Sequence, residues 1–503
     1  MSSPKYPLLF RTQPGYILRT SRANCPATKS RKHEDKMFMI ELESLVSEPE
    51  YEKDFNSSNC LNDSSGYPVA SSNVGKPAHL GSGTFRAVKD YFKKGEVRGS
   101  TFTLITAVLG SGTITFPYLA MNNGILGAAL LIIFGAVLCH FTGMLLISCA
   151  NKIGSDKYED FAAYCFGRKM VLLTGWSNVL TLLGFVISYI VFLKNLIPHI
   201  LDILFGLETL PEFIGNGEYK GQIFWATMYT FFVLLPLSIP RKIGTLQFTS
   251  VFGVFCSLYL IICITLMFFD KTIVPDMSKS IAQADYLILS WDRVANALPF
   301  VVFSFMYQPN MPIIYTELNQ KSYSKMNKVV TYGTTIGVVL YITVSTFGYL
   351  GLVGDEEKLS ILREKSNILE VPYPNTSFKI AIIGLVFAIF SAAPVCSIPA
   401  KDACEKILYP TSTMTPTQNF FMTIAICIGC YCAAVGIPGI GDAITIFGCT
   451  LNPLIGFILP VVFYLKVEDQ VPMWKRAGCY FVLVFITCVS VSSFIFFLKQ
   501  KLA

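Results

Sequence analysis

Two polar interruptions in otherwise apolar segments carry the residues able to do chemistry in this chain. The first is Gly110-Ser-Gly-Thr-Ile-Thr-Phe-Pro117, with two glycines and a proline inside one apolar run. The second follows Pro299 and reads Ser304-Phe-Met-Tyr-Gln-Pro-Asn-Met-Pro312. Glycine exposes backbone and loosens a helix, and proline removes a hydrogen bond while pressing on the preceding turn. Each interruption is therefore expected to split its run into two half-helices with unpaired peptide groups at the break. Amide N–H groups opening a half-helix lie at its positive dipole end, which attracts a carboxylate. Freed carbonyls and hydroxyls can hold an ammonium group. An α-amino acid carries both charges on one carbon, so a pair of such breaks suits it. The candidate substrate-binding residues are Thr106, Leu109, Gly110, Ser111, Gly112 and Thr113 at one break, and Ser304, Phe305, Tyr307 and Gln308 at the other. The plainer alternative is that glycine and proline only kink two packed helices.

What positions these breaks is set by composition. Hydrophobic residues make up 52% of the 503 and charged residues only 15%, too few to cover a soluble chain of this length. The surplus apolar surface must face lipid, where each run of about 20 residues has to satisfy its own amides as a helix. Eleven apolar runs are visible, at roughly 99–120, 124–150, 170–193, 222–239, 245–269, 294–316, 327–352, 377–398, 417–436, 441–465 and 474–498. The interruptions fall in the first and sixth, corresponding places in two five-span halves. That placement points to an all-α polytopic membrane protein built as a 5+5 inverted repeat with an eleventh helix, its site at the bilayer midplane. No residue-level identity between the halves is visible, so spacing alone carries the repeat.

Residues 1–96 are rich in Ser, Pro, Lys and Glu and read as a disordered tail ahead of a transporter domain over 97–503. No apolar core marks a cleavable leader. Tyr6-Pro-Leu-Leu9 and Glu41-Leu-Glu-Ser-Leu-Val46 resemble endolysosomal sorting signals. Basic residues cluster before the first span and in alternate connectors, as at Arg168 and Lys169, Arg241 and Lys242, Lys321 to Lys328, Lys401 and Lys406, and Lys466 to Arg476. That bias predicts a cytosolic N-terminus and a C-terminus on the far side. Asn375-Thr-Ser377, a candidate glycosylation acceptor, then falls in a far-side loop, whereas the sequons at Asn56 and Asn62 are cytosolic and silent. The fifteen cysteines suggest no disulfide framework, and Cys427, Cys430 and Cys432 read as helix packing rather than metal ligands. The net charge of +7 comes without a basic patch of the kind nucleic acid needs.

Ionisable residues inside the runs are scarce, and this limits the substrate. A cationic side chain wants a buried acid and an anionic one a buried Lys or Arg. Hydropathy puts neither near the middle of a run, so a neutral side chain is expected. His140, in the second run, is a candidate proton relay, with a hydrogen-bonded packing histidine as the alternative.

From Gly99 to Lys499 the chain resembles the amino acid/auxin permease family, in particular its neutral amino acid and vacuolar branches. The most specific stretch is Leu298-Pro-Phe-Val-Val-Phe-Ser-Phe-Met-Tyr-Gln-Pro-Asn-Met-Pro-Ile-Ile-Tyr-Thr-Glu-Leu318, which is similar to the family's sixth-span pattern. Phe347-Gly-Tyr-Leu350, Pro236-Leu-Ser-Ile-Pro-Arg-Lys-Ile-Gly-Thr-Leu246 and Phe457-Ile-Leu-Pro-Val-Val-Phe-Tyr-Leu-Lys466 resemble its seventh-span end, fourth-to-fifth junction and tenth span. The resemblance implies a LeuT-type fold with substrate between the first, third, sixth and eighth spans. Gln308 and Tyr307 stand where many relatives carry His and Cys. Thr106 lies where sodium-coupled members place Asn, and Ala392 and Ala393 where those members usually have a hydroxyl.

An ion site at Thr106 and Ser391 is thus short of oxygens, and protons are the expected coupling ion, with no other cofactor. The expectation is a secondary transporter of small neutral L-amino acids, in the plasma or a vacuolar or lysosomal membrane. Sodium coupling, or an amino acid sensor with little flux, is the alternative. A membrane enzyme would need clustered titratable groups that the runs lack.

Overall fold

Every apolar run is helical in the computed structural model, as hydrocarbon requires of a backbone with no other partners. The structure describes residues 95–109, 111–205, 214, 219–241, 247–288, 290–372, 375–409 and 412–502. The tail motifs at Tyr6 and Glu41, Cys25, Cys60, the sequons at Asn56 and Asn62, and Gly110 lie outside these residues.

Among the described residues nine helices are long and apolar enough to cross a membrane. A tenth crossing is the bent pair Val97–Val108 and Gly112–Asn123, which turns by 52° at the first break. The sixth segment is Trp291–Ser304 followed, past a break, by Met311–Glu317. Counted as one crossing it completes the eleven, in the positions hydropathy assigns. The second span is Ile125–Ile153, the third Arg168–Phe205 and the fourth Tyr219–Ser238. The fifth is Gln247–Phe269, the seventh Tyr323–Leu350 and the eighth Thr376–Leu408. The ninth is Pro416–Gly436, the tenth Ile440–Val467 and the eleventh Met473–Leu502.

The first two spans form a hairpin at Gly124, where φ is +76° and a Cβ would meet the Tyr286 backbone at 2.5 Å. The segment around Tyr286 lies along this turn: Ile125 N–H donates to Asp285 O at 3.0 Å and Ile288 N–H to Asn123 O at 2.8 Å. The connector between the second and third spans carries the helix Tyr158–Phe166, and two later connectors carry Met277–Gln283 and Glu356–Lys365. Each of the later two is capped by an aspartate, Asp276 or Asp355, that accepts from a backbone N–H three residues on.

Two lysines correct the expectation that no charge sits inside the spans. Hydropathy assigns Lys194 and Lys401 to connectors, because a charge ends an apolar run. In the structure both lie within helices, the third and the eighth, with 2% and 1% exposure. Lys194 Nζ donates to Ala434 O at 2.9 Å and Ile437 O at 2.7 Å, where the ninth span ends. Lys401 Nζ donates to Ser238 O at 2.7 Å and Ile239 O at 3.1 Å, where the fourth span ends. The last carbonyls of a helix have no internal partner and sit at its negative dipole end, so a cation there is favourable. The third span caps the ninth and the eighth caps the fourth, an arrangement that maps onto itself when the five-span halves are exchanged. This is the residue-level counterpart of the repeat that the sequence alone does not reveal. Setting these two lysines aside removes one charge from each side of the membrane and leaves the charge bias unchanged.

Candidate functional site

The two breaks meet. After Val108 the first span re-forms as a 3-10 turn, Ser111–Thr115, and continues as Phe116–Asn123. Gly112 in that turn packs on Ser304, the last residue of the sixth-span half-helix. A Cβ on Gly112 would stand 2.0 Å from Ser304 Oγ, 2.8 Å from its Cβ and 3.2 Å from its Cα. Thr115 Oγ1 donates to Gly112 O at 2.8 Å and Ser304 Oγ to Phe300 O at 2.7 Å, so both hydroxyls close their own turns. Glycine's role is thus specific: it lets one break touch the other.

A residue absent from the candidate set joins them. Tyr341, fully buried in the seventh span, donates its hydroxyl to Val108 O at 2.5 Å and to Ser304 O at 3.3 Å. These are the carbonyls that end the two half-helices. Its ring stacks on Phe116 with centroids 4.1 Å apart and meets Phe305 edge-on at 5.1 Å. The signal available in the sequence was a tyrosine in the interior of an apolar run, whose hydroxyl must find a partner once buried.

The remaining candidates separate. Leu109 and Thr113 are buried beside the contact. Tyr307 and Gln308 turn away from it: the Tyr307 hydroxyl pairs with Thr334 Oγ1 at 3.0 Å, and Gln308 Nε2 donates to Thr142 Oγ1 at 3.4 Å on the second span. Gly456 faces Gln308 from a π-helical turn in the tenth span, Leu454–Ile458. His140 Nε2 pairs with Asn327 Oδ1 at 3.1 Å. Asn327 lies two helical turns before Thr334, about 10 Å along the seventh span from the Tyr307 contact. Thr106 and Ser391 donate their hydroxyls to their own helices, to Phe102 O and Ala388 O, both at 3.0 Å. Asn375 caps the eighth span by accepting from Ser377 N–H at 2.9 Å. Nothing is described for Gly110 or for the Ser111 side chain.

A cavity of about 520 Å³ lies at the end of the bundle where the Glu356–Lys365 helix packs. Tyr118 and Phe300, with ring centroids 5.5 Å apart, form part of its wall. Phe300 is one turn from Ser304 and accepts the hydrogen bond of its hydroxyl at the backbone, so this wall and the buried contact share one half-helix. Lys501 and Asp442 pair across the cavity lining at 2.8 Å. Burial pushes the Glu370 carboxyl above its ordinary range, while Asn367 Nδ2, donating at 3.0 Å, draws it back. At the opposite end of the bundle the broken spans are tied together: Asn319 N–H donates to Gly95 O at 3.0 Å. Gly95, at φ +87°, leaves no room there for a side chain.

A family model described as transmembrane amino acid transporter protein matches residues 93–501. Among solved structures, a Na+-coupled sialic acid symporter in its substrate-bound, outward-open state is similar over 81% of this chain and 91% of its own, at 15% identity and a TM-score of 0.50. The inward-facing conformation of Mhp1 is similar over 80% and 89%, at 12% identity and a TM-score of 0.48. The architecture shared with the first of these is the LeuT-type fold.

Proposed function

Because the chain belongs to the transmembrane amino acid transporter family, we propose that it moves small neutral L-amino acids across a membrane by alternating access, coupled to protons. The observation that carries this reading is the buried meeting point of the two breaks. There the carbonyl ends of two half-helices converge beside the amides of a re-forming helix, which supplies partners for both charges of an amino acid. The residues gathered at that point, Leu109, Gly112, Thr113, Ser304, Phe305 and Tyr341, carry no charge. A charged substrate side chain would be buried among them unpaired, at a cost of several kcal/mol. The close packing of Gly112 on Ser304 favours small substrates over large ones.

Purified protein in liposomes is expected to take up labelled alanine or serine saturably. It should discriminate against lysine and glutamate by more than about tenfold, the equivalent of 1.4 kcal/mol. Equal uptake of charged and neutral substrates would contradict the uncharged site. Binding without flux would instead identify a sensor.

The charge bias supports a cytosolic N-terminal tail, with the 353–376 connector and the outer cavity on the far side. In a background with the exposed Cys432 and Cys488 replaced by serine, a cysteine introduced at the exposed Glu357 of the Glu356–Lys365 helix should react with an impermeant reagent in sealed right-side-out membranes, while an epitope on the tail stays protected. Accessible tail and protected connector would invert the topology.

A further inference from the structure

We infer that the Tyr341 hydroxyl stands in for the substrate's ammonium group, holding the two half-helix carbonyls while the site is empty and moving to Thr113 when an amino acid arrives. The inference rests on the transport reading above and adds to it the residue that sets affinity.

Three observations carry it. First, Val108 O and Ser304 O terminate helices of 12 and 14 residues, so two negative dipole ends converge on one point. What lies between them is the neutral Tyr341 hydroxyl, which has one proton for two carbonyls. It spends that proton mainly on Val108 O at 2.5 Å and leaves Ser304 O the longer contact at 3.3 Å. An ammonium offers three N–H donors and a full positive charge, and satisfies both carbonyls at once.

Second, Tyr341 has somewhere to go. Thr113 is 2% exposed, and its buried hydroxyl lies beside that of Tyr341 without a partner at hydrogen-bonding geometry. A buried hydroxyl left unsatisfied is costly. Transfer of the Tyr341 proton donor from the carbonyls to Thr113 Oγ1 satisfies it in the occupied state. Third, the ring is held between Phe116 and Phe305. The hydroxyl therefore exchanges partners by a small tilt rather than by leaving the site. Tyr341 is a positioning residue: it lowers affinity by competing with substrate and keeps the empty site from exposing bare carbonyls.

The test is uptake kinetics and substrate-induced thermal shift on purified full-length protein, with alanine as the probe. Tyr341→Phe removes the competitor, so KM is expected to fall about threefold to tenfold, the worth of one hydrogen bond. The thermal shift induced by alanine should grow, because the empty variant has unpaired carbonyls that substrate then satisfies. Lactate, the hydroxy acid of the same size without an ammonium, should gain nothing from the substitution. Thr113→Val removes the landing partner and should raise KM by a similar factor in the wild-type background but not in Tyr341→Phe. A KM unchanged or raised in Tyr341→Phe, or a Thr113→Val effect that persists in the double variant, overturns the exchange. So does a thermal shift produced in Tyr341→Phe by sodium alone, which would assign the carbonyls to a metal cation. Wild-type protein that neither binds nor moves any amino acid defeats the transport reading itself, and the exchange with it.

Discussion

Gly112→Ala is expected to cost about tenfold to a hundredfold in uptake while the protein still reaches its membrane. The added methyl would stand 2.0 Å from Ser304 Oγ and 3.2 Å from Ser304 Cα. Rotation of the Ser304 side chain relieves the first contact but leaves Ser304 Cβ at 2.8 Å. The two breaks must then move apart, and overpacking of this kind costs about 1–3 kcal/mol. Here the cost falls on the one place where both half-helix ends have to be held in register. Ser304→Gly removes the Oγ and Cβ and should restore part of the lost uptake in the double variant. Gly429→Ala is the control, since a Cβ there meets nothing within 4 Å. Surface labelling checks delivery to the membrane. Full uptake by Gly112→Ala would mean that the contact between the breaks is incidental to transport.

The second large effect concerns the driving ion. Uptake is expected to rise with an inward pH gradient and to persist when choline replaces sodium. A hard cation needs several converging oxygens. The candidate side chains offer few: Thr106 and Ser391 bring one hydroxyl oxygen each, and Ala392 and Ala393 bring no side-chain oxygen. Protons need only a group whose affinity changes between states. His140, paired with Asn327 on the seventh span, is the proposed relay. His140→Gln keeps a hydrogen-bonding side chain but cannot titrate, so it should abolish stimulation by the pH gradient while leaving exchange of substrate across the membrane intact. Uptake that requires sodium and ignores the pH gradient contradicts proton coupling. A His140→Gln variant that still responds to the gradient removes that residue alone from the route.

The spans and both breaks were legible because their signals are local. Glycine and proline act on their own turn of helix, and twenty apolar residues define a crossing without reference to any other segment. The contacts that join the spans are of another kind. Tyr341 satisfies carbonyls on the first and sixth spans, and Lys194 and Lys401 satisfy the ends of the ninth and fourth. Such partners are remote in sequence, and nothing in the run around Tyr341 says which carbonyls it will meet. Hydropathy also misplaces a lysine that caps a helix end, because it scores the charge and not its partners. Tyr307 and Gln308 show a subtler limit. They lie inside the sixth-span break, yet the backbone there turns them toward Thr334 and Thr142. Adjacency in sequence named them as candidates, and only the geometry of the 3-10 turn Gln308–Asn310 decides where they point.

Solute counterflow tests the central claim most directly, because it reports alternating access by a single substrate without any coupling gradient. Proteoliposomes loaded with unlabelled alanine and diluted into trace labelled alanine should accumulate label transiently, with lysine unable to substitute inside. Wild-type protein that binds alanine but shows no such overshoot would contradict transport and leave a receptor for amino acids in its place.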